Sequence, residues 1–269
     1  MILTAIFISM VLGSVQPATT KKENPIPQTD YYNGTLGYEK IFSISLKGRY
    51  DRRGITSLLS NCLGLNIEMV DAYNPLEDSE RIQALNSTHP KNINNMSLGT
   101  LGCFVSHRSL WKRIVDNNIS TALILEDDAD FHIDIKKLNA QAMMDIKKYG
   151  NPDFDMLFLG SCVEIMSKAI PIHPGSAVRH SFRPYCLHGY VVTIKGAKKL
   201  LEQISVFDNP IDVNIGRAIS DKKLLSYTLN PTIIDQGMYA GNSNINTDKY
   251  YFKGATKKIG FSIDKCLNF

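Results

Sequence analysis

A single α/β domain with a mostly parallel central sheet is the fold class this sequence predicts, on three observations. Short apolar runs alternate with stretches of helical periodicity along one continuous segment, the pattern of strands and the helices that cover them. The first three elements read as strand, helix, strand, so the opening unit is βαβ. The run from Ala122 to Leu125 is apolar without alternation, as a strand buried on both faces requires.

Residues 2–20 carry no charged side chain and 2–15 are almost wholly apolar. That is too short for a comfortable membrane span and resembles the core of a signal peptide, with a short uncleaved anchor as the competing reading. Residues 1–20 are therefore set apart. Residues 21–37, rich in Pro, Asn, Thr and Gly, read as a linker, and 38–269 as the folded unit.

A strand is expected at 40–46, then a helix capped by Asp51 with Ile55, Leu58, Leu59 and Cys62 on one face, then a strand at 67–72. Residues 75–95 are polar and irregular. A helix over 98–117 follows with Ser97 as its cap, then the strand at 121–125. The next helix, 135–149, spaces Ile135, Leu138, Ala142 and Ile146 helically and leads to a strand at 155–159. Residues 161–184, with three prolines, form a loop long enough to be a lid or a binding loop. A strand at 187–194, a helix at 196–204, a helix introduced by Pro210 and a strand at 224–229 complete the pattern; beyond 235 no periodicity is visible.

The 269 residues are 43% hydrophobic and 21% charged, ordinary for a globular protein with a core. A net charge of +4 without any block of basic residues gives no indication of a nucleic-acid surface. Sequons at Asn33, Asn86, Asn95 and Asn118 support entry into the secretory pathway, in its lumen or as a secreted protein. Membrane attachment would require the amino-terminal segment to stay uncleaved. Five cysteines are too few for a disulfide scaffold, and the odd count leaves at least one thiol.

The chemistry concentrates where the 121–125 strand ends in Glu126, Asp127 and Asp128, with Asp130 one step further. Ligands of parallel sheets sit beyond the carboxyl ends of the strands. Crowded carboxylates repel unless protons or a cation neutralise them, and such oxygen ligands suit Mg²⁺, Mn²⁺ or Ca²⁺. A solvated acidic turn is the plain alternative. Arg49, Arg52 and Arg53, with Asp51, stand at the first strand-to-helix junction, where guanidinium groups can hold phosphate; a charged, solvated helix start is the plainer account. His107 lies on an apolar helix face, where histidine is more often a core residue than a ligand. His188 opens a strand, as ligand, hydrogen-bond donor or simple packing. Asp212 follows Pro210 as a first-turn acid or a catalytic carboxylate.

Taken together, these pieces resemble glycosyltransferase family 25, which includes lipooligosaccharide and procollagen galactosyltransferases. The matching stretches are Ile44-Ser-Leu-Lys-Gly-Arg-Tyr-Asp-Arg-Arg53, Leu98-Gly-Thr-Leu-Gly-Cys-Phe-Val-Ser-His107 with Trp111, and Leu123-Ile-Leu-Glu-Asp-Asp128 with Phe131. Leu157-Phe-Leu-Gly160, His188-Gly-Tyr-Val-Val192 with Gly196-Ala197, and Pro210-Ile-Asp212 continue in the family's order. Two departures stand out: Ser45 where many members have Asn, and His188-Gly189-Tyr190 in place of a more usual small residue before Tyr.

The resemblance implies a GT-A-like, Rossmann-type fold and an inverting transfer of a hexose, most often galactose from UDP-galactose, to a glycan or glycoprotein acceptor, with a divalent metal, commonly Mn²⁺. It implies Asp128 as principal metal ligand with Glu126 beside it, and Glu126 and Asp127 near the ribose or metal, leaving Asp130 peripheral. Ser45, Arg49, Arg52, His107 and His188 complete the donor-binding candidates, and Asp212 is the candidate base. The rival from another class is a secreted carbohydrate-binding protein on an inactive transferase scaffold. A metal-dependent phosphodiesterase is a third reading, without the His-rich ligand set it would need.

Overall fold

The protein is described here by a computed structural model covering residues 30–78, 96–237 and 262–266. The amino-terminal apolar segment and the sequons at Asn86 and Asn95 lie outside the described residues.

Seven strands form the central sheet: β1 (Lys40–Ser45), β2 (Ile67–Asp71), β3 (Thr121–Glu126), β5 (Met156–Gly160), β6 (Val178–His180), β7 (Gly189–Thr193) and β8 (Ser226–Leu229), in the order β2-β1-β3-β7-β5-β8-β6. Pairs β1–β2, β1–β3 and β5–β8 are parallel, whereas β7 runs antiparallel between β3 and β5 and β6 antiparallel along the edge strand's neighbour β8. Five strands thus share one direction, and the sheet is mostly parallel as expected. A two-stranded ribbon, β4 (Ala129–Phe131) with β9 (Ile234–Gln236), lies beyond the end of β3.

Alternate side chains of the buried strands serve opposite cores. Ala122 and Ile124 of β3 join Phe42, Phe158, Tyr190 and Val192 beneath α2 (Leu98–Asp116), α4 (Ile194–Gln203) and α5 (Ile211–Ser220). Leu123 and Leu125 join Ile41, Leu157 and Val191 beneath α1 (Tyr50–Leu63) and α3 (Ile135–Tyr149). Helices on both faces make the continuous apolar run of β3 a physical necessity. Leu36, inside the stretch read as a linker, is fully buried in the second of these cores.

Helix starts are set by capping where the side chain can reach. Ser97 accepts from the Thr100 N–H at 3.1 Å, and Thr193 accepts from the Gly196 N–H at 3.0 Å. Asp51 does not cap α1. Arg49 occupies the cap position, and its guanidinium grips Asp51 from Nε at 2.9 Å and Nη2 at 2.7 Å.

Several elements were not anticipated from local pattern, β4 among them. β6 lies inside the 161–184 loop, β9 inside the aperiodic tail, and a terminal helix α6 (Ile263–Cys266) docks on the domain. Asp130 holds that helix, accepting from the Ser262 hydroxyl at 2.9 Å and the Ile263 N–H at 3.2 Å. A disulfide from Cys62 to Cys266 fastens α6 to the end of α1. A second joins Cys162 to Cys186, and Cys103 is the free thiol.

The tightest approach of helix to sheet is at Gly196, where a Cβ would collide with the Asp155 carbonyl. Asp155 is itself fully buried, receiving Lys199 Nζ at 2.6 Å and the Leu225 N–H at 2.8 Å, so it cannot give way. Gly196→Ala should cost ~1–3 kcal/mol by overpacking. Gly48→Ala, into open space, should leave the urea midpoint nearly unchanged; equal midpoints for the two variants would refute the packing account.

Candidate active site

The carboxyl ends of β1 and β3 and the amino end of the reversed β7 meet at one edge of the sheet. Register places Ile44 opposite Glu126 and Leu125 opposite Gly189, and the Glu126 N–H donates to the His188 carbonyl at 3.3 Å. Gly160, at the end of β5, lies against the His188 ring, and a Cβ there would stand 2.5 Å from Nε2. The glycine is what lets the imidazole fit.

Asp127 is the anchored acid of the three. It accepts from Ser45 Oγ at 2.7 Å and from Arg52 Nη1 at 2.6 Å, with Arg52 only 6% exposed. The same guanidinium nitrogen lies 3.9 Å from Asp128 Oδ2. Ser45, Arg52 and Asp127 therefore form one buried group, and the charge of Arg52 is largely committed there. Arg49, held by Asp51, lies near enough to Asp127 and Asp128 for their charges to raise its pKa, after the larger effect of the Asp51 hydrogen bond.

Glu126 and Asp128 are driven in opposite directions. Burial pushes Glu126 up, but the hydrogen bond from His107, with the electrostatic effect of the nearby His107, His188 and Arg52 side chains, carries it below the usual glutamate value. Asp128 is pushed up to about 7 by burial first and then by Glu126, with Arg52 opposing. Its Oδ1 is buried with no hydrogen-bond partner among the described residues, and Oδ2 has the Gln236 amide at 3.5 Å. An orphaned carboxylate oxygen beside a second ionised carboxylate is the donor set a hard divalent cation fits.

His107 does not face solvent: it is 1% exposed. Trp111 Nε1–H donates to the Tyr190 hydroxyl at 2.9 Å, and His107 Nδ1 lies 3.0 Å from that oxygen. Indole can only donate, so the Tyr190 oxygen accepts there and its proton goes to His107 Nδ1. Burial holds the Tyr190 pKa well above its ordinary value, so the proton is kept. The imidazole proton is thereby assigned to Nε2, which donates to Glu126 Oε1 at 3.3 Å.

This polarity bears on a second grouping. Cys103 Sγ, a His107 nitrogen and a Glu126 oxygen lie within 4.8 Å of one another. With Nε2 protonated the imidazole offers no lone pair there. The Cys103 thiol, pushed well above its usual pKa by burial and by the charges of Glu126, Asp212 and Asp128, stays protonated. Cys162, Cys186 and His188 also cluster, but the two sulfurs are bonded to each other.

Asp212 reaches the site from the first turn of α5. Its Oδ1 accepts from the Val213 N–H at 2.8 Å and its Oδ2 from the Cys186 N–H at 3.0 Å. The charges of Glu126, Asp212 and Asp128 all reach the Cys103 thiol, which puts Asp212 in the neighbourhood of the acids. Of the residues singled out from sequence, Ser45, Arg52, Glu126, Asp127, Asp128, His107 and His188 gather at the strand ends and Arg49 lies within reach. Asp130 is turned away into the α6 contact. Tyr190, Trp111, Gln236 and Cys186 were not assigned site roles, because each acts through a partner at least 26 residues distant that no local spacing reveals.

A mixed α/β sheet that gathers acids at the end of a central strand is the arrangement of a glycosyltransferase-type domain. Residues 38–215 match glycosyltransferase family 25 (LPS biosynthesis protein), and the chain belongs to that family. It is 28% identical over 180 residues to procollagen galactosyltransferase 2 of Homo sapiens, covering 63% of this chain and 28% of that protein. Procollagen galactosyltransferase 1 of Danio rerio is 30% identical over 178 residues, 62% of this chain and 29% of its own. A glycosyltransferase 25 family member of Drosophila melanogaster is 25% identical over 251 residues, 82% and 40% respectively. The chain thus spans less than half the length of these relatives.

Two outcomes follow from the site. Long-range ¹⁵N correlation should find His107 as the Nε2–H tautomer, and Tyr190→Phe should cost ~1–3 kcal/mol by stranding the Trp111 donor; an Nδ1–H tautomer in the wild type would overturn the polarity. Asp128 with its folded value near 7, against 3.8 ordinarily, binds a proton that the unfolded chain releases. The stability this confers is full below about 3.8 and lost as pH rises through about 7. Melting temperature in chelator should therefore fall across that window, and Asp128→Asn should remove this part of the slope; an unchanged slope counts against the assignment.

Proposed function

We propose that the chain is an inverting, metal-dependent glycosyltransferase that moves a hexose, galactose from UDP-galactose, to a glycan or glycoprotein acceptor in the secretory pathway. The observation that carries this is the acid cluster: Asp128, one oxygen of which has no hydrogen-bond partner among the described residues, stands beside ionised Glu126, with Asp212 in their neighbourhood. The names of the procollagen galactosyltransferase relatives support the sugar. Two disulfides favour an oxidising compartment. Among the described residues no helix is long and apolar enough to cross a membrane.

Asp128 and Glu126 would hold the cation, Mn²⁺ by the family's habit. When bound it would neutralise the charge that builds on the diphosphate leaving group. The protein's own contribution is positional. Ser45 and Arg52 fix Asp127, and that removes one of three repelling charges. His107 and His188 keep Glu126 ionised and aimed. Arg49 offers a guanidinium beside the acids for donor phosphate oxygens. Asp212, held by two backbone N–H groups, takes the proton from the acceptor hydroxyl as its oxygen bonds to the sugar carbon on the face opposite the departing diphosphate, which inverts that carbon.

Release of UDP from a panel of UDP-sugars, with and without Mn²⁺ and acceptor, tests the reading. Metal-dependent release from UDP-galactose, raised by acceptor, is expected. Asp212→Asn should lower kcat by roughly 10²–10⁴-fold with donor binding retained, and Asp128→Asn should abolish the metal response. Full activity in either variant removes that residue from its role. Sugar binding without turnover would instead favour a lectin-like use of the scaffold.

A further inference from the structure

We infer that the Cys162–Cys186 disulfide is a positioning device for Asp212, making Cys186 a positioning residue for the proton-accepting carboxylate. The inference rests on the proposed role of Asp212 and adds what holds that carboxylate in place.

The β5–β7 ladder runs through Phe158 opposite Tyr190 to Gly160 opposite Gly189. Just past its end the chain leaves on the long excursion that carries β6. Its neck is closed three times: the Cys162 N–H donates to the Tyr185 carbonyl at 3.0 Å, the Tyr185 N–H to the Val163 carbonyl at 3.0 Å, and the two sulfurs are bonded. The cross-link lies two residues from Gly160 on one strand and two from His188 on the other.

Cys186 sits in the left-handed region, φ +67°. A residue with a Cβ avoids that region unless its surroundings impose it. Here the sulfur bond and a hydrogen bond impose it together, because the N–H of this strained residue is the donor to Asp212 Oδ2 at 3.0 Å. Oδ1 is already taken by Val213, the next residue on α5, so Cys186 supplies the restraint that comes from outside the helix. Without the cross-link, Cys186 is free to relax towards extended backbone, and its N–H moves with it. Asp212 would then be held at one oxygen only. The other disulfide ties α6 to α1 and touches none of these groups.

The test compares Cys162→Ser/Cys186→Ser with the wild type, and both again in an Asp212→Asn background. The double variant should lose roughly 10-fold in kcat, the worth of a hydrogen bond to a charged group, with the donor KM within about 2-fold. Added to Asp212→Asn it should lose no further activity, because both changes act through one group. A multiplicative loss in that background, or an unchanged kcat, overturns the inference. Should the double variant not fold, reducing the folded Cys62→Ser/Cys266→Ser protein, which has only this disulfide, gives the same comparison, and reoxidation should restore kcat. Amide exchange gives a readout apart from activity. Asp212→Ala should speed exchange at Cys186 by about 10-fold or more, and an unchanged rate refutes the contact. If the wild type transfers no sugar from any donor, the proposed function fails while the exchange result still decides the clamp.

Discussion

Three carboxylates at one strand end would drive the site apart were it not for the ion pair of Arg52 with Asp127. Arg52 comes from α1 and Asp127 from the turn after β3, and Ser45 at the end of β1 completes the contact. Breaking such a buried pair strands a charge, a cost of about 3–5 kcal/mol, so the three segments are bound to one geometry. Everything else at the site follows from that neutralisation. Glu126 and Asp128, on either side of the paired acid, are left as the two groups whose charge remains to be dealt with.

The reversal of β7 decides what surrounds them. A strand parallel to β3 would bring its far end to the acids. Running antiparallel, β7 brings its beginning, and so His188 and Gly189 stand against Leu125 and Glu126. Tyr190 then falls on the α2 side of the sheet, within reach of Trp111 and His107. A single choice of strand direction thus supplies one imidazole, His188, and through Tyr190 orients the other, His107 of α2.

That choice also marks where sequence reading ran out. Elements with a strong local signal were legible: the Ser97 cap and α2 behind it, the unbroken apolar run of β3, and α3 with its limits unchanged. The acids could be placed at a strand end because strand ends are local. The direction of β7 depends on pairing with Leu123 and Phe158, both more than 30 residues away, and nothing in Gly189–Thr193 encodes it. β4 and β9 pair across a hundred residues and are three residues each, too short for any periodicity. Asp130 reads as peripheral to the other acids, but not as the holder of α6. Its partners Ser262 and Ile263 lie in a tail whose docking no local pattern announced.

Glu126 and Asp128 show why proximity alone does not assign chemistry. The two acids are two residues apart and share the same burial-driven cost. Yet one is held below its ordinary value and the other raised to about 7. The difference lies in their partners. Glu126 receives a proton donor whose orientation is set three groups away by an indole that can only donate. Asp128 keeps an oxygen with no hydrogen bond among the described residues and faces the negative charge of its neighbour. Environments that push paired acids apart divide their roles. Glu126 is built to stay charged, and Asp128 is built to be neutralised, by a proton or, in the proposed function, by a cation. The relay through Trp111 and Tyr190 therefore acts on Asp128 as well, because the charge it maintains on Glu126 is what makes neutralisation of Asp128 favourable.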